Sequence, residues 1–573
     1  MRITSVCQTP NTATPRHWLN GLLLAVALLS AGCQTTPAPE LDYGDVLAKV
    51  NEQPDPRSVT RLRSAFLATD EFPDQLTRLT ELENQALQLV EDEPLKLGSL
   101  GSAILDLYYG SLAGHYVSMK FYEFVENPTA RARHAEWLDA IRASIEASGD
   151  GSISRPYPAV TPVEPTAYAR SGDSVPVGSI YRSSDADDFI LLLQTREDDS
   201  SPLRSLHFDL NGLYRAIANE LQQPARDAGQ TPEPLSPFAL MAYLARQGDT
   251  AAQASIGAYL ATHDRQADAI DWLEAASRSG NVLANNLLAR VYFEQAEAAE
   301  DDSARDAAME QVLDNYVHAI ALGSLDSAYA LGVLYLSEKY GAENVTSGLP
   351  LLRQAEAGGH PGASLFLGHL HYQGREVEQD FQNAASYYVK ASAANNAAAR
   401  VAYARFLLDR THTVEFDPRV LAWLEELADR DSPEAMVLIG NLHGRGVATR
   451  QSPRRALQWF ERALEEAAGD ANIINEVAWV LSVTDQPGLK RPQLALKLMD
   501  ELMASNEAAA TTPAFLDTWA AALAANGNFE QAIKVQEQAL ERARPLLDAA
   551  LIEELEGHLE AFKAGRQLTE PAP

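Results

Sequence analysis

Gly362-Ala-Ser-Leu-Phe-Leu-Gly-His-Leu-His-Tyr-Gln-Gly374 is followed by Arg375-Glu-Val-Glu-Gln-Asp380 and then by a run holding Ala384, Tyr387, Tyr388, Lys390 and Ala391. Apolar and small residues recur at helical spacing on both sides of a polar, glycine-started turn. The stretch therefore reads as one helix–turn–helix unit. A unit of this size cannot bury its apolar faces alone and needs neighbours of the same kind.

Imperfect copies supply those neighbours. A small residue recurs in the first helix of each copy, at Gly257, Ala289, Gly332, Gly368, Ala404, Gly440, Ala478 and Ala520. The steps from 332 to 440 are each 36 residues, and Leu351, Tyr387, Trp423 and Trp459 keep the same interval in the second helices. A fixed step with two helical faces predicts an α-solenoid over residues 238–545. A small residue lets the neighbouring helix approach closely, and a large one fills the space between repeats. Asn344, Asp380 and Ser452 occupy equivalent cap positions, with Pro453 at the favoured first position of its helix. In the copy between, the cap shifts to Asp417-Pro418.

The pattern Leu367-Gly368, Leu370-His371, Gly374, Val377, Asp380, Ala384, Tyr387 and Lys390-Ala391 resembles a Sel1-like repeat, a relative of the tetratricopeptide repeat. Ile439-Gly440-Asn441-Leu442-His443, Gly446, Ala456, Trp459 and Ala463 form a second copy. From Asn475-Glu-Val-Ala-Trp479 to Asp517-Thr-Trp-Ala-Ala521, with Gly527, Phe529, Ala532 and Ala539, the chain resembles ordinary tetratricopeptide repeats. Residues 546–573 are expected to form a capping helix and a tail.

The amino-terminal end reads as an address. Residues 1–17 are polar with two arginines, and an apolar run from Trp18 ends in Leu29-Ser30-Ala31-Gly32-Cys33. The run is too short to span a bilayer and reads as a signal peptide, residues 1–32. Its end resembles a bacterial lipobox, although Ser30 stands where leucine is usual. The resemblance implies acylation of Cys33, whose two or three chains would anchor the protein stably. Gln34 after the cysteine implies the outer membrane, by analogy with enteric sorting. Residues 33–40 form a tether.

Residues 41–222 lack the repeat. Helical spacing runs to Ile145 and stops at Ser148-Gly-Asp-Gly151. Phe189–Leu193 and the alternating Leu206, Phe208 and Leu210 then predict strands joined by a turn over 197–202. The span is expected to be a small α+β domain, and the proline-rich residues 223–237 a linker. The string Ile145-Glu-Ala-Ser-Gly-Asp-Gly-Ser, with Asp187-Asp-Phe-Ile-Leu191 further on, resembles an uncharacterised domain of bacterial exported proteins, which implies no activity. The fold class is thus mainly α, a solenoid of helix pairs preceded by a small α+β domain.

The chemistry of the chain excludes more than it assigns. A formal net charge of −33 repels phosphate backbones, so nucleic acid is not an expected partner. Cys7 and Cys33 are its two cysteines, leaving none for a disulfide or thiolate site in the folded body. Asp150 between two glycines lacks the further ligands of a calcium loop and reads as a turn residue. His369 and His371 point to different helix faces, and His443 repeats His371 two periods on, which marks a packing role. No nucleophile elbow, phosphate loop or His-x-x-x-His pair is present.

The expectation is a protein without enzymatic activity, cofactor or metal. It would be a lipid-anchored scaffold on the periplasmic face of the outer membrane, binding a protein or peptide partner through the solenoid in envelope assembly or export. Acids at Glu376, Glu378, Asp380, Glu425 and Glu426 favour a basic or polar partner segment; the partner-binding residues themselves are unassigned. The alternative is that residues 41–222 form an enzyme or ligand-binding module recruited by the array.

Overall fold

The structure, a computed structural model, describes residues 42–570 except 51–53, 183–188, 199–200, 202, 232–234, 264, 338–344, 410 and 546–548. Cys33, Asn344 and the pair Asp187-Asp188 lie outside the described residues. The rest divides into two compact units, one of residues 42–171 and 209–235, the other of 172–208 and 236–570.

The first unit is a helical assembly held by a buried polar cluster. Helices Pro56–Leu67, Phe72–Gln88, Leu97–Leu107, Leu112–Phe124 and Pro128–Ser148 pack their apolar faces together. Asn127 and Ser111 cap two of them, accepting from Ala130 N and Gly114 N. The last helix stops at the Gly149 breaker, where Asp150 Oδ1 accepts Ser152 N at 3.0 Å. Asp150 is therefore a turn residue, as its glycine setting implies. The helix Asn211–Asp227 also belongs to this unit and continues through Pro224. The first third of the segment read as a linker, residues 223–227, is thus helical. Proline removes one ladder bond there but does not end the helix, whose apolar face, Leu213 and Ile217, is buried.

The second unit contains the expected array. Eight helix pairs run from Thr250–Ala261 with Gln266–Arg278 to Pro513–Ala525 with Phe529–Ala543, and helix Ala549–Lys563 follows. Within each pair the two helices pack on each other, and most first helices also touch the next first helix. All eight predicted small positions are buried. A Cβ on Gly257, Gly332, Gly368 or Gly440 would fall within 3 Å of Leu273, Leu352, Tyr388 or Phe460 on the second helix of the same pair. The fully buried filler is therefore one residue beyond the predicted position. Tyr387 itself is half-buried and packs against a cluster made by Leu336 and Leu352 of the preceding pair with Leu367 and Leu370 of its own, which lies between the repeats.

The caps follow the same logic. Asp380 accepts Gln382 N and Asn383 N, and Ser452 accepts Arg455 N. The expected cap Asp417 differs: it accepts Arg419 N at 2.9 Å in the preceding turn, and Arg419 opens helix Val420–Ala428 without a side-chain cap. Gly374 and Gly446 close the first helices of the two best copies in left-handed conformation, with φ of 68° and 76°. His371 O then accepts the Asp380 N–H and His443 O the Ser452 N–H, at 2.9 and 2.7 Å. His443 is buried and His371 stacks on Tyr387, so both serve packing.

Strands Val175–Arg182, Ile190–Arg196 and Arg204–Asp209 lie side by side, with Ile190–Arg196 in the middle. The last two are the predicted pair; the first was not predicted. It pairs antiparallel with the middle strand, Ile180 opposite Leu192, with an irregularity at Pro176–Gly178. These strands fall inside the 41–222 span but group with the repeats. Gly178 lies against Val282, and Val177, Val282 and Ala319 form a small core. Asn281 caps helix Val282–Ala298 and also takes both backbone groups of Ser179, at 2.7 and 3.2 Å. The Tyr181 hydroxyl donates to Asp249, and Tyr181 N to Ser255 Oγ.

Candidate functional site

The register of the repeats decides which side chains meet. The small residue of each first helix faces the second helix of its pair. The next residue is turned about 100° from it. In four successive copies this residue is His369, Arg405, Asn441 and Trp479. All four line open space on the face formed by the first helices.

Two cavities lie along this face. One, of about 800 Å³, is walled by Tyr372, Tyr388, Val401, Ala402, Phe406 and Leu427, with Ala397 and Ala398 exposed on its floor. His369, Arg405, Arg430 and Glu434 supply its polar groups. The second, of about 480 Å³, is bounded by Trp479, Val480, Leu551 and Leu555, with Asn441, Arg445, Asn475, Glu476, Asp517, Glu554 and Glu570 among its polar groups. Volumes of this size, apolar with a few convergent polar groups, suit side chains of a bound partner.

Arg405 joins the two cavities. Its Nη1 donates to Glu476 at 2.7 Å and its Nη2 to Glu434 at 2.8 Å, so one guanidinium links three consecutive first helices. All three groups are part-exposed to solvent, which screens the pairs, so they orient the face more than they stabilise the fold. Trp479 Nε1 donates to Glu570 Oε1 at 2.7 Å, and Arg445 Nη2 to Glu570 Oε2 at 3.2 Å. His558, on helix Ala549–Lys563, bonds Asp517 at 2.9 Å; burial pushes its pKa down, but the carboxylate prevails and holds it above the ordinary value.

The acids expected to attract a basic partner are elsewhere. Asp380 caps a helix, and Glu426 pairs with the buried Arg400 at 2.8 Å. Glu376 and Glu378 sit in the turn between helices. The groove is instead mixed in charge, with Arg405, Arg430 and Arg445 set among Glu434, Glu476, Asp517 and Glu554.

The first unit holds the other notable polar group. Glu83 accepts the hydroxyls of Ser111 and Thr161, each at 2.7 Å. Glu164 accepts Arg63, Val160 N at 2.7 Å and its own Arg63 partner's second nitrogen at 3.1 Å. Arg63, Glu83 and Glu164 are all at most 4% exposed. Burial pushes Glu83 up to about 7, against the pull of its two hydroxyl donors. The cluster ties helices Pro56–Leu67 and Phe72–Gln88 to residues 158–164. Its oxygens are engaged with one another's donors, which is the arrangement of a structural clamp. Nearby, His115 lies 3.0 Å from His134 and stacks on Trp137; burial, helped by His134, takes its pKa to about 3 and keeps it neutral.

Among the described residues no group of three or more His, Cys, Asp or Glu side chains is placed to hold a metal ion. No described helix is long and apolar enough to cross a membrane.

Residues 361–396 and 433–467 match the Sel1 repeat family. No curated protein matches the chain. Among solved structures, a Sel1 repeat protein from Oxalobacter formigenes is similar at 16% identity, over 52% of this chain and 83% of that one, with a TM-score of 0.36. A protective antigen present in uropathogenic Escherichia coli strains, displaying an SLR fold, is similar at 15% identity over 91% of this chain and 95% of that one, with a TM-score of 0.40. The chain thus carries Sel1 repeats inside a helix-pair array, and repeats of this kind generally act as scaffolds for protein partners.

Proposed function

We propose that this protein is a non-enzymatic scaffold whose first-helix face holds an extended segment of a partner protein. The observation that carries this reading is the pair of cavities along one repeat register, joined by the Arg405 bridge to Glu434 and Glu476. Apolar walls supply affinity, and fixed polar groups set the register of the bound segment. The mixed charge of the groove favours a polar segment over a uniformly basic one. The clamp at Glu83 is buried and satisfied within the protein, which favours this reading over an enzymatic first unit.

The finer reading places the scaffold in the cell envelope, acylated at Cys33 and held on the periplasmic face of the outer membrane, in assembly or export. It rests on the lipobox resemblance of Leu29–Cys33 and on Gln34. Two measurements test the proposal. Cys33→Ala is expected to abolish acyl labelling and release the chain from the membrane fraction; an unlabelled wild type would overturn the anchor. A photo-crosslinker at Ala398 is expected to trap a discrete partner that the same probe at Lys120, in the first unit, does not. Trapping from Lys120 alone would move function to the first unit.

A further inference from the structure

The segment after helix Ala549–Lys563 returns to the array and enters the groove. Leu568 packs against the apolar cluster that holds Val483, Leu516 and Ala520. Gln567 Nε2 donates to Ala525 O at 3.2 Å, and Lys490 Nζ donates to Gln567 Oε1 at 3.1 Å. Glu570 forms a parallel bridge with Thr484, its N–H donating to Val483 O at 2.7 Å. Its carboxylate then takes the Trp479 indole N–H on one oxygen and the Arg445 guanidinium on the other. The second cavity opens beside it, with Glu570 in its wall.

This is how an extended peptide is bound: a backbone pairing fixes direction, an apolar side chain fills a recess, and a charged side chain meets a fixed donor pair. We infer that Val483, Trp479 and Arg445 form a recognition site for an extended partner segment carrying leucine two residues before a glutamate, and that Leu568-Thr569-Glu570 occupies it in cis. The inference rests on the scaffold reading and gives that face one specific ligand. The segment is held by one leucine, one backbone bridge and part-exposed polar bonds, so its opening requires much less than unfolding of the array. Arg445 is itself fixed from behind, because its Nη1 donates to Leu408 O at 2.7 Å. The donor pair therefore stays in place when the segment leaves. A partner segment competes with an occupant whose effective concentration is set by a short tether, which makes the site selective for abundant or multivalent partners.

The test uses the full chain and a fluorescein-labelled peptide of sequence Gly-Arg-Gln-Leu-Thr-Glu with an amidated end, read by anisotropy. The double variant Leu568→Ser, Glu570→Ala opens the site and is expected to bind the peptide roughly tenfold or more tightly than wild type does. Replacing the peptide's glutamate by glutamine is expected to weaken binding about fivefold or more, through loss of a charge-assisted contact. Glu570→Ala alone is expected to give the same order with a smaller margin, and serves where the double variant melts early. Equal binding by wild type and variants, or no binding by a folded variant, overturns the inference. Weaker binding of the partner identified from Ala398 to a chain carrying Ala398→Arg, together with absent peptide binding, would sink this inference while leaving the scaffold reading intact.

Discussion

A methyl group placed on Gly368 would lie 2.8 Å from two ring carbons of Tyr388, whose side chain is buried and whose hydroxyl is bonded to His369 at 2.9 Å. The ring has little room to yield. Gly368→Leu is therefore expected to destabilise the array by about 1–3 kcal/mol, seen as an earlier melt. Gly557 sits within a helix with nothing within 4 Å of its missing Cβ, and Gly557→Ala is the matched control, neutral or slightly stabilising. Equal melts for Gly368→Leu and wild type would mean that the helices are not in this contact. A second residue, Glu83, sets a pH dependence in the first unit. Its folded carboxyl holds a proton up to about 7, whereas the unfolded chain releases it near 4.5. Between those values the folded state binds more protons at this site, so the contribution of Glu83 to stability is fully present below 4.5 and is lost as pH rises through 7. The shift corresponds to roughly 3 kcal/mol. Glu83→Gln should flatten the slope. Protection factors for amides of helix Phe72–Gln88 measure it; a slope unchanged in the variant would contradict the assignment.

At the scale of the element, the strand Val175–Arg182 shows what the sequence displayed and what it hid. Helix pairs were legible because small residue, cap and period coincide at each step, as at Gly368 with Asp380 and Gly440 with Ser452. The strands Ile190–Arg196 and Arg204–Asp209 were legible from apolar runs and alternation. Val175–Arg182 was not, since Pro176, Gly178 and Ser179 weaken any strand pattern. Its place is fixed by long-range bonds to Asn281, Ser255 and Asp249, which no local window contains. Asn281 is the clearest case. In the structure one side chain, 3% exposed, caps a helix and holds both backbone groups of Ser179. Asn281→Ala should cost about 2–3 kcal/mol, since a cap is lost and buried backbone groups lose a partner. Exchange protection should fall first in Val175–Arg182 and at the start of Val282–Ala298. Uniform loss across the unit would argue against a local clip.

The whole molecule places its sequence boundaries and spatial boundaries differently, because residues 172–208 group with the array while 209–235 group with the first unit. A sequence reading cuts a chain once; packing threads it back and forth. The groove was hidden for a related reason. His369, Arg405, Asn441 and Trp479 share one register position but no common chemistry, so a search for repeated residue types passes over them. The position after each small residue, compared copy by copy, was the available signal. The central claim is that partner binding resides on this face. Its most direct test is the affinity of the partner trapped at Ala398 for full-length chains carrying Ala398→Arg or Gln458→Arg, the latter exposed on a second helix. A large side chain on the groove floor is expected to weaken binding by roughly 2 kcal/mol or more, about thirtyfold, while Gln458→Arg leaves it within twofold. Unchanged affinity for Ala398→Arg, or equal losses for the two variants, would contradict the account.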